Sequence, residues 1–179
     1  CRADLIDREM AMKMKLSGCF RVFFGLESGN DEVLKIIKKR ITVDQARRAV
    51  EAMKSVGIKA GAFFILGYPG EDNNTMLDTI KFASSLPLDY LSFTVPYPIP
   101  GTGLYEKVKE RILIDDWRKP RRSIIDHVLL YRSDFSMAKL KFGIAKAMLQ
   151  HHSRRYLGPL YPIIKPFENL TDYFFKAIK

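Results

Sequence analysis

Two short, glycine-bearing turns carry the carboxylates that could do chemistry in this chain. The first is Gly25-Leu-Glu-Ser-Gly29, in which Glu27 and Ser28 lie between glycines directly after an apolar run. A carboxylate in this position suits a ribose diol or an ammonium group, and flanking glycines let a ligand approach the backbone. The residues alone also fit a strand-ending turn with a solvated glutamate, so both interpretations stay open here.

The second turn is Gly67-Tyr-Pro-Gly-Glu71. Its spacing matches neither a Walker loop nor a dinucleotide-binding fingerprint, so it gives phosphate binding little support. It contains the G-x-x-G of a KH domain, but that loop lies between helices, whereas this one follows an apolar run and precedes two acids. Taken in isolation, the pattern favours a tight strand-to-helix turn.

The sequence contains no motif of the other common kinds of active site, such as metal sites, thiolate sites and hydrolase nucleophiles. The three histidines are scattered among the predicted C-terminal helices, without acidic or thiol partners at metal-ligand spacing. Two cysteines can build neither a disulfide framework nor a four-thiolate site. No G-x-S-x-G or H-E-x-x-H motif is present.

The elements that must position the two turns form an alternating series. Apolar runs predict strands at 20–26, 59–66 and 90–95, and helical patterns lie between them. Buried strands joined by crossover helices predict an α/β fold with a parallel sheet. All the polar turns then fall at the carboxyl ends of their strands, which is the ligand-binding edge of such sheets and barrels.

Helix boundaries follow from capping signals. We expect a helix at 5–17 capped by Asp4, one at 31–39, one ending at Val56 that opens with the capping box at Thr42, and one ending at Leu86 that is capped by Asn73 or Asn74.

The C-terminal third has a different character. We expect a basic connector at 117–122, helices at 124–131 and at 137–151 (the latter capped by Ser136), and a last helix at 170–178 after a break at Pro159, Pro162 and Pro166. The sequence therefore divides into a unit at 1–110 and a helical extension at 111–179.

Charge supports this division. The chain has 179 residues and a net charge of +10, of which residues 1–110 contribute +2 and residues 111–179 contribute +8. No apolar run reaches the ~18 residues of a membrane span. The chain opens with Cys1 rather than Met, and we interpret it as a fragment.

The order of the motifs is more specific than any one of them. Arg2-Ala-Asp4, the Glu27 turn, Phe64-Ile-Leu-Gly-Tyr-Pro-Gly-Glu71 and Pro96-Tyr-Pro-Ile-Pro-Gly-Thr102 follow one another. This order resembles the radical S-adenosylmethionine (radical SAM) superfamily, and most closely its subgroup with a cobalamin-binding domain, which includes the anaerobic magnesium-protoporphyrin ester cyclases. The resemblance covers residues 1–110 and implies the C-terminal half of a partial (β/α)₆, TIM-like barrel.

The resemblance also implies roles for individual residues. Glu27 and Ser28 would contact the ribose or amino group of S-adenosylmethionine, and the turn that ends in Glu71 would lie along its adenine. The implied cofactor-binding residues are Gly25, Glu27, Ser28, Ile65, Gly67, Glu71 and Arg2, with Gly70 shaping the turn, and the implied substrate-side residues are Asp4, Pro96 and Tyr97.

One departure from the family pattern bears on activity. The C-x-x-x-C-x-x-C loop that holds the family's 4Fe–4S cluster is absent, so the resemblance implies that the cluster ligands and any cobalamin domain lie upstream. We expect this chain alone to be inert, whereas the intact parent, a cytoplasmic oxidoreductase or transferase, makes a 5′-deoxyadenosyl radical or drives cobalamin-dependent methyl transfer. Such a parent needs a small-molecule substrate and an electron donor such as ferredoxin or flavodoxin.

Two other classes of function compete with this interpretation. In the first, the chain is a binding module whose basic segments (38–40, 118–122, 154–155) contact RNA, although no RNA-binding motif supports it. In the second, the aromatic and basic stretch 156–175 lies on a membrane surface. The alternative for that stretch is that its aromatics close the open end of the barrel or contact another domain.

Overall fold

The computed structural model describes residues 1–113 and 129–178. Three strands, β1 (Arg21–Glu27), β2 (Lys59–Ile65) and β3 (Tyr90–Thr94), form one parallel sheet in the order β1-β2-β3. Helices α2 (Asp31–Ile36) and α3 (Val43–Ser55) connect β1 to β2, and α4 (Asn73–Ser85) connects β2 to β3. The predicted α/β fold with parallel strands is therefore confirmed.

The sheet buries one face and exposes the other. Val22, Phe24 and Leu26 alternate along β1 into the core, and Ala60, Ala62 and Phe64 do the same along β2. On the opposite face, Phe23 and Phe63 stack with ring centroids 5.5 Å apart while remaining partly exposed. Among the described residues, the helices therefore cover one side of the sheet, as on the outside of a (β/α) barrel.

Two of the predicted caps are wrong. Asp4 does not cap helix α1 (Arg8–Leu16), whose N-cap is Asp7, accepting from the amide of Met10 at 2.7 Å. The cap of α4 is Asp72 rather than Asn73 or Asn74. In both cases the helix begins where an aspartate reaches the free amides of the first turn, a choice that neighbouring polar residues leave open. The capping box of α3 at Thr42 and Gln45 is confirmed.

Helix α2 ends earlier than predicted, at Ile36. Lys38 has a φ of 60°, a left-handed conformation that no α-helix accommodates. A short helix, α5 (Gly103–Val108), follows the proline-rich segment and was not predicted.

The C-terminal third departs most from the predictions. Helix α6 (Met137–Tyr156) begins at the predicted Ser136 cap but runs past His151. Helix α7 (Tyr161–Ala177) contains Pro162 and Pro166 instead of beginning after them. Pro162 lies in the first turn, where the missing N–H has no helical partner, and Pro166 removes one internal hydrogen bond. Of the predicted helix at 124–131, residues 124–128 lie outside the described part of the chain, and Tyr131 forms an antiparallel bridge with Ile112.

Helix α6 packs closely on the sheet layer. A Cβ atom on Gly143 would lie 2.8 Å from both Leu66 and Phe175. Leu140 of α6 lies against Gly67, where an added Cβ would approach it to 2.7 Å. The C-terminal helices thus support the turn at the end of β2.

Candidate functional site

Glu27 ends β1 in an unusual backbone conformation. The register between β1 and β2 shifts between Gly25 and Glu27, which is a β-bulge, and Glu27 has a φ of 66°. A non-glycine residue in the left-handed region is strained, and such residues gather at functional sites. The bulge re-aims the glutamate at the carboxyl end of the strand.

The Glu27 carboxylate is bound by one lysine, and it fits beside Gly25 because that residue has no side chain. Its Oε1 accepts a hydrogen bond from Lys39 Nζ at 2.9 Å, and 20% of the Glu27 side chain is exposed. A Cβ on Gly25 would lie 2.6 Å from the same Oε1 and 3.2 Å from Lys39 Nζ. Gly25, Glu27 and Lys39 therefore form one unit, in which Oε2 has no hydrogen bond to any described residue and is available to a ligand.

Ser28 is fully buried and holds the turn together. Its Oγ lies 2.9 Å from Oγ1 of Thr79 on α4 and accepts from the amide of Asn30 at 3.1 Å. The amide of Gly29 also donates to Thr79 Oγ1, at 3.1 Å. The hydroxyl that the sequence offers to a ligand therefore connects the turn to α4, and its role in cofactor binding stays a prediction.

We expect Thr79→Val to destabilise the protein by roughly 1–3 kcal/mol, because it leaves the partly buried amide of Gly29 and the buried hydroxyl of Ser28 without their shared partner. Valine preserves the shape of threonine, so packing changes little. A double-mutant cycle with Ser28→Ala, followed by urea unfolding, measures the coupling. Strictly additive effects would contradict a shared hydrogen bond.

Glu71 organises the turn after β2 from inside the protein. Its Oε2 accepts from the amides of Gly67 and Tyr68 at 2.8 and 2.7 Å, while Oε1 is buried and has no hydrogen-bond partner among the described residues. Burial raises the pKa of Glu71 to about 7, and the two amide hydrogen bonds only partly oppose that rise. Gly67 and Gly70 have φ values of 87° and 104°, which glycine alone adopts readily.

The remaining predicted residues lie at the same edge of the sheet or beside it. Arg2 donates to both carboxylate oxygens of Asp4, at 3.1 and 2.7 Å, and this pairing lowers the pKa of Asp4. Ile65 pairs with Thr94 at the end of β2. Beyond β3, Pro96 is buried and Tyr97 is half-buried.

A cavity of about 270 Å³ lies beside the Arg2–Asp4 pair. It is lined by both members of that pair together with Lys38 and Lys39, and Lys39 is also the partner of Glu27. The structure thus brings Arg2 and Asp4 close to Lys39, whereas Glu27 itself does not line this cavity. The sequence analysis considered Lys39 only within a basic segment for RNA binding and missed Thr79, because both lie far along the chain from the residues that they contact.

The part of the chain that the structure describes contains no set of ligands for a metal cluster. No group of three or more histidine, cysteine or acidic side chains could hold a metal ion there. Cys1 is exposed and Cys19 is half-buried, and both are free. The described residues therefore do not fit a 4Fe–4S cluster.

The basic segments considered for RNA binding are partly engaged in ion pairs. Lys39 binds Glu27, Arg154 binds Glu168 at 3.2 Å, and Arg155 binds Asp89 at 3.2 Å. The segment 118–122 lies outside the described residues. RNA binding remains an untested prediction with fewer available contacts than the sequence suggests.

Comparison with known proteins places this site in a family. Residues 1–83, which carry the Arg2–Asp4 pair, the Glu27 unit and the Glu71 turn, match the family model of the radical SAM superfamily. Residues 1–83 therefore belong to that superfamily. The matched region thus contains the first three motifs that carried the resemblance, from Arg2 to Glu71.

Several relatives extend the comparison. An uncharacterized methyltransferase of Pyrococcus horikoshii is 35% identical over 180 residues, which cover 99% of this chain and 38% of that relative. The anaerobic magnesium-protoporphyrin IX monomethyl ester cyclase of Rubrivivax gelatinosus is 26% identical over 64% of this chain and 21% of its own length. The chain thus spans about a fifth to two fifths of the length of these two relatives.

A solved structure shares the fold. The radical S-adenosylmethionine methyltransferase TsrM of Kitasatospora setae, solved with cobalamin and a [4Fe-4S] cluster, aligns with a TM-score of 0.56 at 21% identity, over 62% of this chain and 22% of that one. The predicted relation to a partial TIM-like barrel is confirmed at the level of the fold.

Proposed function

We propose that the protein containing this chain is a radical SAM enzyme of the methyltransferase type and that this chain supplies part of its S-adenosylmethionine site. The observation that carries the proposal is Glu27, a strained carboxylate at a strand end inside the matched region. The methyltransferase relatives support the reaction class. When bound, S-adenosylmethionine would supply a methyl group or a 5′-deoxyadenosyl radical.

In this proposal Glu27 binds the ribose hydroxyls or the ammonium of S-adenosylmethionine through Oε2. Lys39 keeps the carboxylate in place through Oε1. A charge-assisted hydrogen bond to a preorganised carboxylate is stronger than a neutral one, and the bulge holds that carboxylate before the ligand arrives. Ser28 and Thr79 do not contact the ligand in this proposal. They position Glu27 indirectly, because their hydrogen bond attaches the turn to α4.

Glu71 shapes the second wall of the proposed site. By binding the amides of Gly67 and Tyr68 it sets the path of the backbone that would lie along the adenine. Ile65 contributes half-buried apolar surface beside this turn. Arg2, Asp4, Pro96 and Tyr97 remain proposed neighbours of the cofactor or substrate.

The other cofactors belong to the proposal for the whole protein. A 4Fe–4S cluster and cobalamin would be held by residues other than those described, and a ferredoxin or flavodoxin would reduce the cluster. Without added cluster ligands, the chain is expected to bind S-adenosylmethionine without cleaving it.

Titration calorimetry tests the site directly. We expect Glu27→Gln to weaken the binding of S-adenosylmethionine by roughly 10- to 100-fold, because it replaces a hydrogen bond to a charged group worth about 1.5–3 kcal/mol. The control is Glu32→Gln on α2, whose carboxylate is 73% exposed and should leave binding unchanged. An undiminished affinity in the Glu27 variant would refute the assignment.

A further inference from the structure

An apolar stripe runs along the outer side of α7. Five residues in sequence steps of 3, 4, 3 and 4 are each between 51% and 69% exposed: Leu160 just before the helix, then Ile163, Phe167, Leu170 and Phe174. Tyr173 beside them is 70% exposed. At this spacing the side chains share one helical face, so they form a continuous surface.

The stripe continues onto α6 across a groove. A cavity of about 320 Å³ between the two helices is lined by Phe142 and Leu149 on one side and by Ile164 and Phe167 on the other. Tyr156 at the end of α6 is exposed as well. Contiguous exposed apolar surfaces of this kind mark sites of interaction with other proteins or with membranes.

The charges of α7 are sorted by sign. Its two acids are turned inward: Glu168 binds Arg154 and accepts from Tyr161, and Asp172 binds Lys81 and Lys146. Their side chains are only 13% and 14% exposed. Lys165 and Lys176 are exposed, and Lys176 also interacts electrostatically with Asp72, the N-cap of α4. The outward formal charge of α7 within the described residues is therefore positive.

We propose that α7 lies flat on an anionic membrane surface, with the apolar stripe in the interfacial region and Lys165 and Lys176 on the opposite, polar side of the helix. Interfacial helices combine an aromatic and aliphatic face with a lysine-bearing polar face, and each basic side chain near an anionic leaflet adds to the attraction. Residues 111–179 carry a net charge of +8, which anionic headgroups would neutralise, whereas a second copy of this chain would bring the same positive charge to the contact.

The helix lies on the surface and does not cross it. Among residues 1–113 and 129–178, no helix combines the length and the apolar character that a bilayer span requires. Glu168 and Asp172 keep α7 attached to α6 and α4 through their ion pairs. Binding therefore needs no unfolding of the helix from the protein.

Vesicle sedimentation tests the proposal. The purified protein is expected to pellet with vesicles of phosphatidylcholine and phosphatidylglycerol, to pellet poorly with phosphatidylcholine alone, and to be released by high salt. Ile163→Asp/Phe167→Asp removes the apolar contact and should weaken binding by roughly ten-fold or more. Both side chains are exposed, so the thermal unfolding midpoint should stay close to that of the unmodified protein.

A second pair of variants separates charge from apolar contact. Lys165→Glu/Lys176→Glu should abolish the preference for phosphatidylglycerol. The control, Arg8→Glu/Lys13→Glu, makes the same change in net charge on exposed residues of α1 and should leave binding intact. Absence of pelleting with anionic vesicles overturns the proposal. So does a concentration-dependent dimer that Phe167→Asp dissociates, since the stripe would then bind a second copy.

Discussion

The free energy of unfolding is expected to fall by about 3 kcal/mol between pH 4.5 and pH 7 on account of Glu71 alone. Its pKa rises from an ordinary value of 4.5 to about 7 in the folded protein, chiefly because burial penalises the charged carboxylate. Between these pH values the folded state holds the proton and the unfolded state releases it, so stability decreases as the pH rises. Below pH 4.5 and above pH 7 the contribution of Glu71 is constant.

Glu71→Gln should remove this component, because glutamine keeps the oxygen that accepts from Gly67 and Tyr68 and does not titrate. Urea unfolding from pH 4 to pH 8 measures the difference between the variant and the unmodified protein at each pH. That difference should grow in favour of the variant by about 3 kcal/mol. Glu9→Gln, on a carboxylate that is 75% exposed, is the matched control, and parallel curves for the Glu71 variant would disprove the shifted pKa.

Gly29→Ala should be the most damaging single-methyl change near the site. A Cβ on Gly29 would lie 2.4 Å from Cβ of Phe82 and 2.9 Å from both the carbonyl oxygen of Asp78 and Cα of Thr79. Two of these atoms belong to the backbone of α4, so the turn must move away from the helix. We expect a loss of about 1–3 kcal/mol or more, the usual cost of overpacking, and a loss of S-adenosylmethionine binding as Glu27 shifts with the turn.

Gly103→Ala is the matched control for this substitution. Nothing lies within 4 Å of the position of its Cβ, and its φ is not in the left-handed region. It should leave both stability and binding nearly unchanged. Comparing thermal melts and calorimetric titrations of the two variants separates the close packing at Gly29 from the general cost of replacing a glycine. Equal melts for both variants would contradict the packing of the turn on α4.

The strands were predictable because each is a short apolar run, a pattern that can be recognised from consecutive residues alone. All three observed strands agree with the sequence patterns to within about one residue at each end. The capping box of α3 was also predictable, because it is a local pattern that involves only Thr42, Gln45 and the backbone between them. The caps of α1 and α4 were not, because several polar residues compete locally and packing selects one.

For the site, the sequence by itself determined the types and the order of the motifs. That order was sufficient to indicate the radical SAM superfamily. Only the tertiary structure decided what each side chain does. Lys39 reaches Glu27 from 12 residues away and Thr79 reaches Ser28 from 51, and no local pattern encodes such contacts.

The C-terminal third, first seen as a strongly basic segment, shows the same division. The sequence determined its net charge, and the fold decided that the acids of α7 turn inward while the apolar stripe and two lysines stay outside. Periodicity is a property of neighbouring residues, whereas burial and pairing depend on which surfaces meet when the chain folds.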